Sequence, residues 1–172
     1  MIFNSIYTAE HYDVRLEQKD WSTADFDDSK WNGVGYRGAP SQNVVSQQVQ
    51  PIRIVETIPA NTWKKINDST YIFDFARNMS GVTRIKVSGE EGTVVKLKHG
   101  ERLYDNGRVN TSNIDVYHRP VDDSDPFQTD ILILSGKGED EFMARFNYKG
   151  FRYVEVTSSK PCLLYTSPSP RD

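Results

Sequence analysis

The heptapeptide FRYVEVT, residues 151–157, decides how this chain folds. Phe151, Tyr153, Val154 and Val156 are offset by the charged Arg152 and Glu155, as a strand with one buried face requires. Similar runs recur upstream: IRIVETI (52–58), YIFDF (71–75), TRIKV (83–87), TVVKLKH (93–99), DILIL (130–134) and EFMARF (141–146). Between them sit Ser88-Gly89, Glu91-Gly92, Asn106-Gly107, Gly136-Lys137-Gly138 and Lys149-Gly150. Asn-Gly favours positive φ at both turn positions and is a strong hairpin signal. No stretch sustains a 3.6-residue apolar period. Short strands separated by such turns predict an all-β chain, folded as an antiparallel β-sandwich.

Composition narrows the function classes. The chain has 172 residues, enough for one large domain or two small ones. Its formal charge is -3, with basic and acidic residues intermixed, so no phosphate-binding stripe forms and nucleic acid is not an expected partner. No apolar run reaches the ~18 residues a membrane span needs. The opening MIFNSIYTAEHYD lacks a basic flank and a long apolar stretch, so no signal peptide is visible and the compartment stays open. The lone cysteine, Cys162, excludes a disulfide within one chain.

The organisation reads as two units. A boundary is expected near Ile58 or Pro59, with ANTWKKINDST (60–70) as a connection. Residues 59–160 approach the ~100 residues of a small sandwich. Residues 1–58 are too short for another, and read as the C-terminal part of a sandwich whose earlier strands lie outside this sequence. Such a partial unit is expected to leave edges uncovered and to be locally disordered. Within it, the polar stretch 17–42 carries Trp21, Phe26, Trp31 and Tyr36. It reads either as a surface loop pinned to a sheet by its aromatics or as an aromatic platform for sugar rings. Residues 161–172 stand apart. CLLYTSPSPRD (162–172) alternates Ser and Pro without an apolar face, and Pro168 and Pro170 forbid a central strand. It is expected to be a non-native, adaptor-derived tail.

Five segments, taken in order, resemble the N-terminal non-catalytic region of bacterial α-L-rhamnosidases. They are Glu10, Tyr12, Asp13 and Arg15 of EHYDVRLE; Asp27, Asp28, Ser29 and Trp31; Asp74-Phe75 with the Asn-x-x-Gly turn at 78–81; Gly100, Glu101, Leu103, Asn106 and Gly107; and GFRYVEV at 150–156. The resemblance implies a concanavalin-like, jelly-roll sandwich in a glycoside hydrolase that removes terminal α-L-rhamnosyl groups by inversion. It implies that the catalytic (α/α)6 barrel follows in the parent protein, and that Met1 is an internal start. Expected partners are rhamnose-containing glycosides or polysaccharides and that missing barrel.

Chemistry within the chain is expected to be absent. Glycoside hydrolysis needs two carboxyl groups across one cleft, the acid with a raised pKa. Asp27-Asp28, Glu90-Glu91, Asp122-Asp123-Asp125 and Glu139-Asp140-Glu141 all sit in turn-like stretches. His11, His99 and His118 show no metal-ligand spacing, so neither metal nor cofactor is expected. A stand-alone lectin-like module is the rival reading. Some family members resemble calcium-dependent rhamnose binders with an Asp-Asn pair, but here Val14 follows Asp13, and an alkyl group cannot ligate Ca²⁺. A sugar site built from Tyr12, Asp13, Arg15 and Trp31 is the remaining candidate, against a structural Asp13–Arg15 ion pair at a sheet edge. An adhesive sandwich without a sugar site is the third possibility.

Overall fold

The computed structural model describes residues 1–6, 8–115 and 126–165. Twelve strands are found there: β1 (Phe3–Asn4), β2 (Glu10–Asp13), β3 (Thr62–Asn67), β4 (Thr70–Gly81), β5 (Arg84–Gly89), β6 (Val94–Gly100), β7 (Arg102–Leu103), β8 (Val109–Asn110), β9 (Thr129–Ile133), β10 (Glu139–Met143), β11 (Lys149–Ser158) and β12 (Cys162–Tyr165). A 3-10 turn over Val14–Leu16 follows β2. His118 and the Asp122-Asp123-Asp125 group lie outside the described residues.

Two sheets carry the core. One has seven strands in the order β1-β2-β9-β6-β11-β4-β3, and the other has three, β10-β5-β12. Val95, Leu97, Leu132, Val154 and Val156 of the large sheet join Val87 and Phe142 of the small one in a single apolar cluster. The fold is an antiparallel β-sandwich with one parallel pair, β2 with β9. FRYVEVT lies within β11, an interior strand of the large sheet, paired on both sides by β4 and β6. Its alternation is therefore enforced along both flanks.

A short hairpin, β7-β8, is the third sheet. Asn106-Gly107 turns it, with positive φ at Gly107 and not at Asn106: Gly107 has φ +81, its N–H donates to the Tyr104 carbonyl, and Tyr104 N–H donates to the Arg108 carbonyl over 2.8 Å. Val109 of this hairpin is 1% exposed.

Met1–Glu17 cluster with the described part of Thr57–Asp172, while Gln18–Glu56 form a second unit. The reason is main-chain pairing: β2 adds to β9, and β1 adds to β2, so residues 3–13 extend the large sheet. ANTWKKINDST is not a connection but contains β3, which turns tightly into β4 with Asn67 Oδ1 accepting from Ser69 N–H. Conversely, residues 52–58 carry a strand pattern but form no strand, and Ile52, Ile54 and Val55 are exposed. Alternation supplies a face; only a neighbouring strand supplies the ladder.

Part of the set-aside tail pairs with the small sheet. Cys162–Tyr165 form β12 against β5, with Cys162 and Leu164 packed on the core cluster. Four residues before the prolines suffice for an edge strand, where a ladder is needed on one side only.

Gln18–Glu56, taken by itself, contains no strand. Local bonds shape it: Trp31 N–H donates to the Asp28 carbonyl, Ser29 N–H to Asp27 Oδ1, and Thr23 N–H to the Asp20 carbonyl.

Candidate functional site

Asp13 closes β2 and opens the 3-10 turn. Its Oδ1 accepts from Arg15 N–H at 3.0 Å and from Arg15 Nε at 2.9 Å, while Oδ2 accepts from Arg15 Nη2 at 2.7 Å. Asp13 is buried and the Arg15 side chain is partly exposed. The Arg15 hydrogen bonds hold the Asp13 carboxyl below its ordinary pKa, against the opposing effect of burial. Both carboxylate oxygens are thus committed to one guanidinium. Tyr12 turns to the opposite face, 6.0 Å from the Phe142 ring and packed on the core cluster. Burial, then the Glu17 carboxylate, raises its phenol pKa.

Trp31 belongs to the other unit. There it donates from Nε1 to Gln18 Oε1 at 2.7 Å and packs against Phe26 at 5.4 Å. Trp21, Trp31 and Tyr36 remain exposed.

The strongest concentration of polar groups lies elsewhere, where β9, β6 and β11 begin or end. Lys149 Nζ donates to both Asp130 oxygens at 2.8 and 2.9 Å and to Asn147 Oδ1. Asp130 Oδ1 also accepts from Glu10 N–H at 3.0 Å. Glu10 in turn accepts from Arg145 N–H and Phe146 N–H. His99, fully buried, stands 3.9 Å from Asp130 Oδ2 and lies within hydrogen-bond reach of Thr83 Oγ1 and the Gln128 carbonyl. Burial pushes its imidazole down to about 4, outweighing the Asp130 charge.

Sequence reading missed this cluster, yet a signal existed. Asp130 shares parity with Leu132 and Leu134, and Lys149 with Phe151, so each charge sits at an inward position of its strand. Two opposite inward charges on separate strands point to a pair. Glu155 left no such signal. Its parity is outward, and it is buried because the β7-β8 hairpin covers it: Arg108 donates to both its oxygens and Val109 N–H to Oε2.

A cleft of about 290 Å³ opens beside the cluster, lined by Ser5, Ile6, Thr8, Glu101, Gln128 and residues 147–150.

Among the described carboxylates, Glu90 pairs with Lys160, Glu139 with Lys86, and Asp140 accepts from the Ser135 N–H and hydroxyl. Hydrogen bonds from Arg152 and Lys160 lower the Asp74 and Glu90 carboxyls, the reverse of what a general acid needs. Among the described residues no three His, Cys, Asp or Glu side chains converge as a metal would require.

Residues 64–167 match the bacterial alpha-L-rhamnosidase concanavalin-like domain, and residues 1–56 match the alpha-L-rhamnosidase N-terminal domain. The chain belongs to the bacterial α-L-rhamnosidase family. An alpha-L-rhamnosidase of Streptomyces avermitilis is 36% identical over 155 residues, covering 88% of this chain and 14% of that protein. Among solved structures of the family, the α-L-rhamnosidase of Dictyoglumus thermophilum superposes with a TM-score of 0.78 at 33% identity, over 95% of this chain and 19% of that one. The Streptomyces avermitilis α-L-rhamnosidase complexed with L-rhamnose gives 0.72 at 34% identity, over 91% and 15%. The chain therefore spans less than a fifth of the length of these relatives.

Proposed function

We propose that this chain is an accessory, non-catalytic β-sandwich part of an α-L-rhamnosidase. The parent protein hydrolyses terminal α-L-rhamnosyl bonds of glycosides or plant polysaccharides with inversion, and its acid and base reside in a catalytic (α/α)6 barrel outside this sequence. The sandwich braces that barrel and shapes the approach to its cleft. What carries the reading is a chain matched along most of its length by two rhamnosidase domains, with the buried carboxylates of Asp13, Asp130 and Glu155 committed to basic partners.

Asp13 and Arg15 serve in this reading as a structural pair closing the β2 turn, since a sugar hydroxyl would have to displace a bidentate guanidinium. The test is an assay with an aryl α-L-rhamnoside on two samples, this chain and a longer product of the same gene. Turnover by the longer protein alone is expected. Enzyme-dependent rhamnose release by the purified chain overturns the proposal.

A further inference from the structure

We propose that Asn32-Gly33 is a site of spontaneous covalent modification, at which the Asn32 side chain exchanges its amide for a carboxyl group, and that the same dipeptide at Asn106-Gly107 is protected by its hairpin. This reactivity is independent of the accessory role.

The chemistry needs no enzyme and no reactant besides water. Solvent base removes the Gly33 amide proton, and the nitrogen attacks Asn32 Cγ. A bond forms between Gly33 N and Cγ, the Cγ–Nδ2 bond breaks, and ammonia leaves with a proton returned by solvent. The five-membered imide then takes up one water. Opening at one carbonyl gives aspartate at position 32. Opening at the other routes the main chain through the side-chain carboxyl and gives isoaspartate. One water enters, one ammonia departs, and nothing is oxidised or reduced. Glycine obstructs such an attack least, since it has no Cβ beside the nucleophile and the widest choice of backbone angles.

Asn-Gly occurs at 32–33 and at 106–107, and the two surroundings are opposite. Asn32 and Gly33 are exposed, lie outside any strand or helix, and make no hydrogen bond among the described residues. Apart from chain neighbours, no atom stands within 4 Å of where a Gly33 Cβ would be. Trp31, just before them, is anchored: its N–H donates to the Asp28 carbonyl at 2.8 Å and its Nε1 to Gln18 Oε1 at 2.7 Å. The free pair begins where that anchoring stops. At 106–107 both reacting groups are engaged. Asn106 Oδ1 accepts from Arg108 N–H at 3.0 Å, which fixes the side chain, and Gly107 N–H donates to the Tyr104 carbonyl at 2.8 Å, which holds the nucleophile. Glu155 in turn grips the Arg108 guanidinium. Attack there must first break two hydrogen bonds, which slows it about tenfold or more. At position 32 the product sets a new carboxylate one residue from Trp31, and the iso form lengthens the backbone beside that anchored ring.

The experiment incubates the purified full chain at mildly alkaline pH, folded and in guanidinium chloride above its unfolding transition, and follows both sites by peptide mapping with mass spectrometry. In the folded chain Asn32 is expected to convert at least about tenfold faster than Asn106. After unfolding, the two are expected to react within about twofold of each other, since each is then the same dipeptide in solvent. Arg108→Ala, which loosens the hairpin, should speed Asn106 at least about threefold and leave Asn32 unchanged. Should that variant fail to fold, the comparison of the folded and unfolded unaltered chain decides alone. Asn32→Gln, which cannot close the five-membered ring, should remove the acidic form that ion exchange resolves. No conversion at Asn32 in the folded chain, conversion of Asn106 at an equal or greater rate, or a difference that persists after unfolding each overturns the proposal. A failed hydrolysis assay leaves it standing, and its failure leaves the accessory reading standing.

Discussion

Arg108 reaches across from the β7-β8 hairpin and grips Glu155 with two hydrogen bonds, Nε to Oε2 at 2.8 Å and Nη2 to Oε1 at 2.6 Å. Val109 N–H adds a third at 2.9 Å. Burial alone would raise the Glu155 pKa, but these donors outweigh it and hold the carboxyl below its ordinary range. One carboxylate in an interior strand thus fastens a hairpin onto the sheet.

Removing that carboxylate should release the hairpin. Glu155→Ala is expected to cost about 2–3 kcal/mol, since it leaves a buried N–H unpaired, while Arg108→Ala should cost less because that side chain is partly exposed. Urea unfolding measures both. Equal, negligible effects would show that the hairpin holds by apolar contact alone. Because the folded pKa is lowered, this stabilisation is present above the unfolded value near 4.3 and is lost as pH falls through the folded one.

His99 should act in a different pH window. Its folded pKa of about 4 lies below the unfolded ~6.5, so between these values the unfolded chain takes up a proton that the folded one refuses. Stability is therefore full above pH ~6.5, declines towards pH 4 by at most about 3 kcal/mol, and flattens below. Asp130 and Lys149 face the ring with opposite charges, the first raising its pKa and the second lowering it. His99→Gln, which keeps a donor and an acceptor, should remove the slope between pH 6.5 and 4. Thermal melting across that range checks it, and an unchanged slope in the variant refutes the assignment.

The Lys149–Asp130 pair should show strong non-additivity. Lys149→Met strands a carboxylate that is 1% exposed and is expected to cost about 3–5 kcal/mol. Adding Asp130→Asn to it should recover most of that loss, as the amide oxygen can still accept from Glu10 N–H. Denaturant titration of the single and double variants reads the coupling. Simple addition of the two losses would mean that the charges are not paired in solution.

Two glycines differ in what they tolerate. Gly136 has φ +73, and a Cβ there would stand 2.6 Å from Glu91 N, a backbone atom that cannot swing aside. Gly136→Ala should destabilise by about 2–4 kcal/mol. Gly81→Ala meets nothing within 4 Å and should change stability by less than about 1 kcal/mol. Calorimetry on the two variants compares them directly.

How much was legible in the sequence differs from residue to residue. FRYVEVT, TVVKLKH and DILIL announced β11, β6 and β9 because each alternates against a buried face. Asn106-Gly107 announced its hairpin because positive φ is a local demand. IRIVETI carried the same kind of pattern and formed no strand, for want of a neighbour. EHYD, within the stretch matched by the N-terminal domain, pairs with β9 in parallel, which no local pattern announced. Tyr12, Asp13 and Arg15 lie together along the chain, yet Tyr12 and Asp13 face opposite sides of the sheet, and Trp31 sits in a different unit.

By itself, then, the order of residues determined the strand character and the turns, since these follow from side-chain period and backbone preference within a few residues. Only the tertiary structure decided which strands share a sheet, that Lys149 meets Asp130, and that the outward Glu155 is buried beneath a hairpin. Those outcomes depend on closing long loops so that distant backbone ladders and charges come together, and residues 19 and 47 positions apart carry no local trace of the partner they will find.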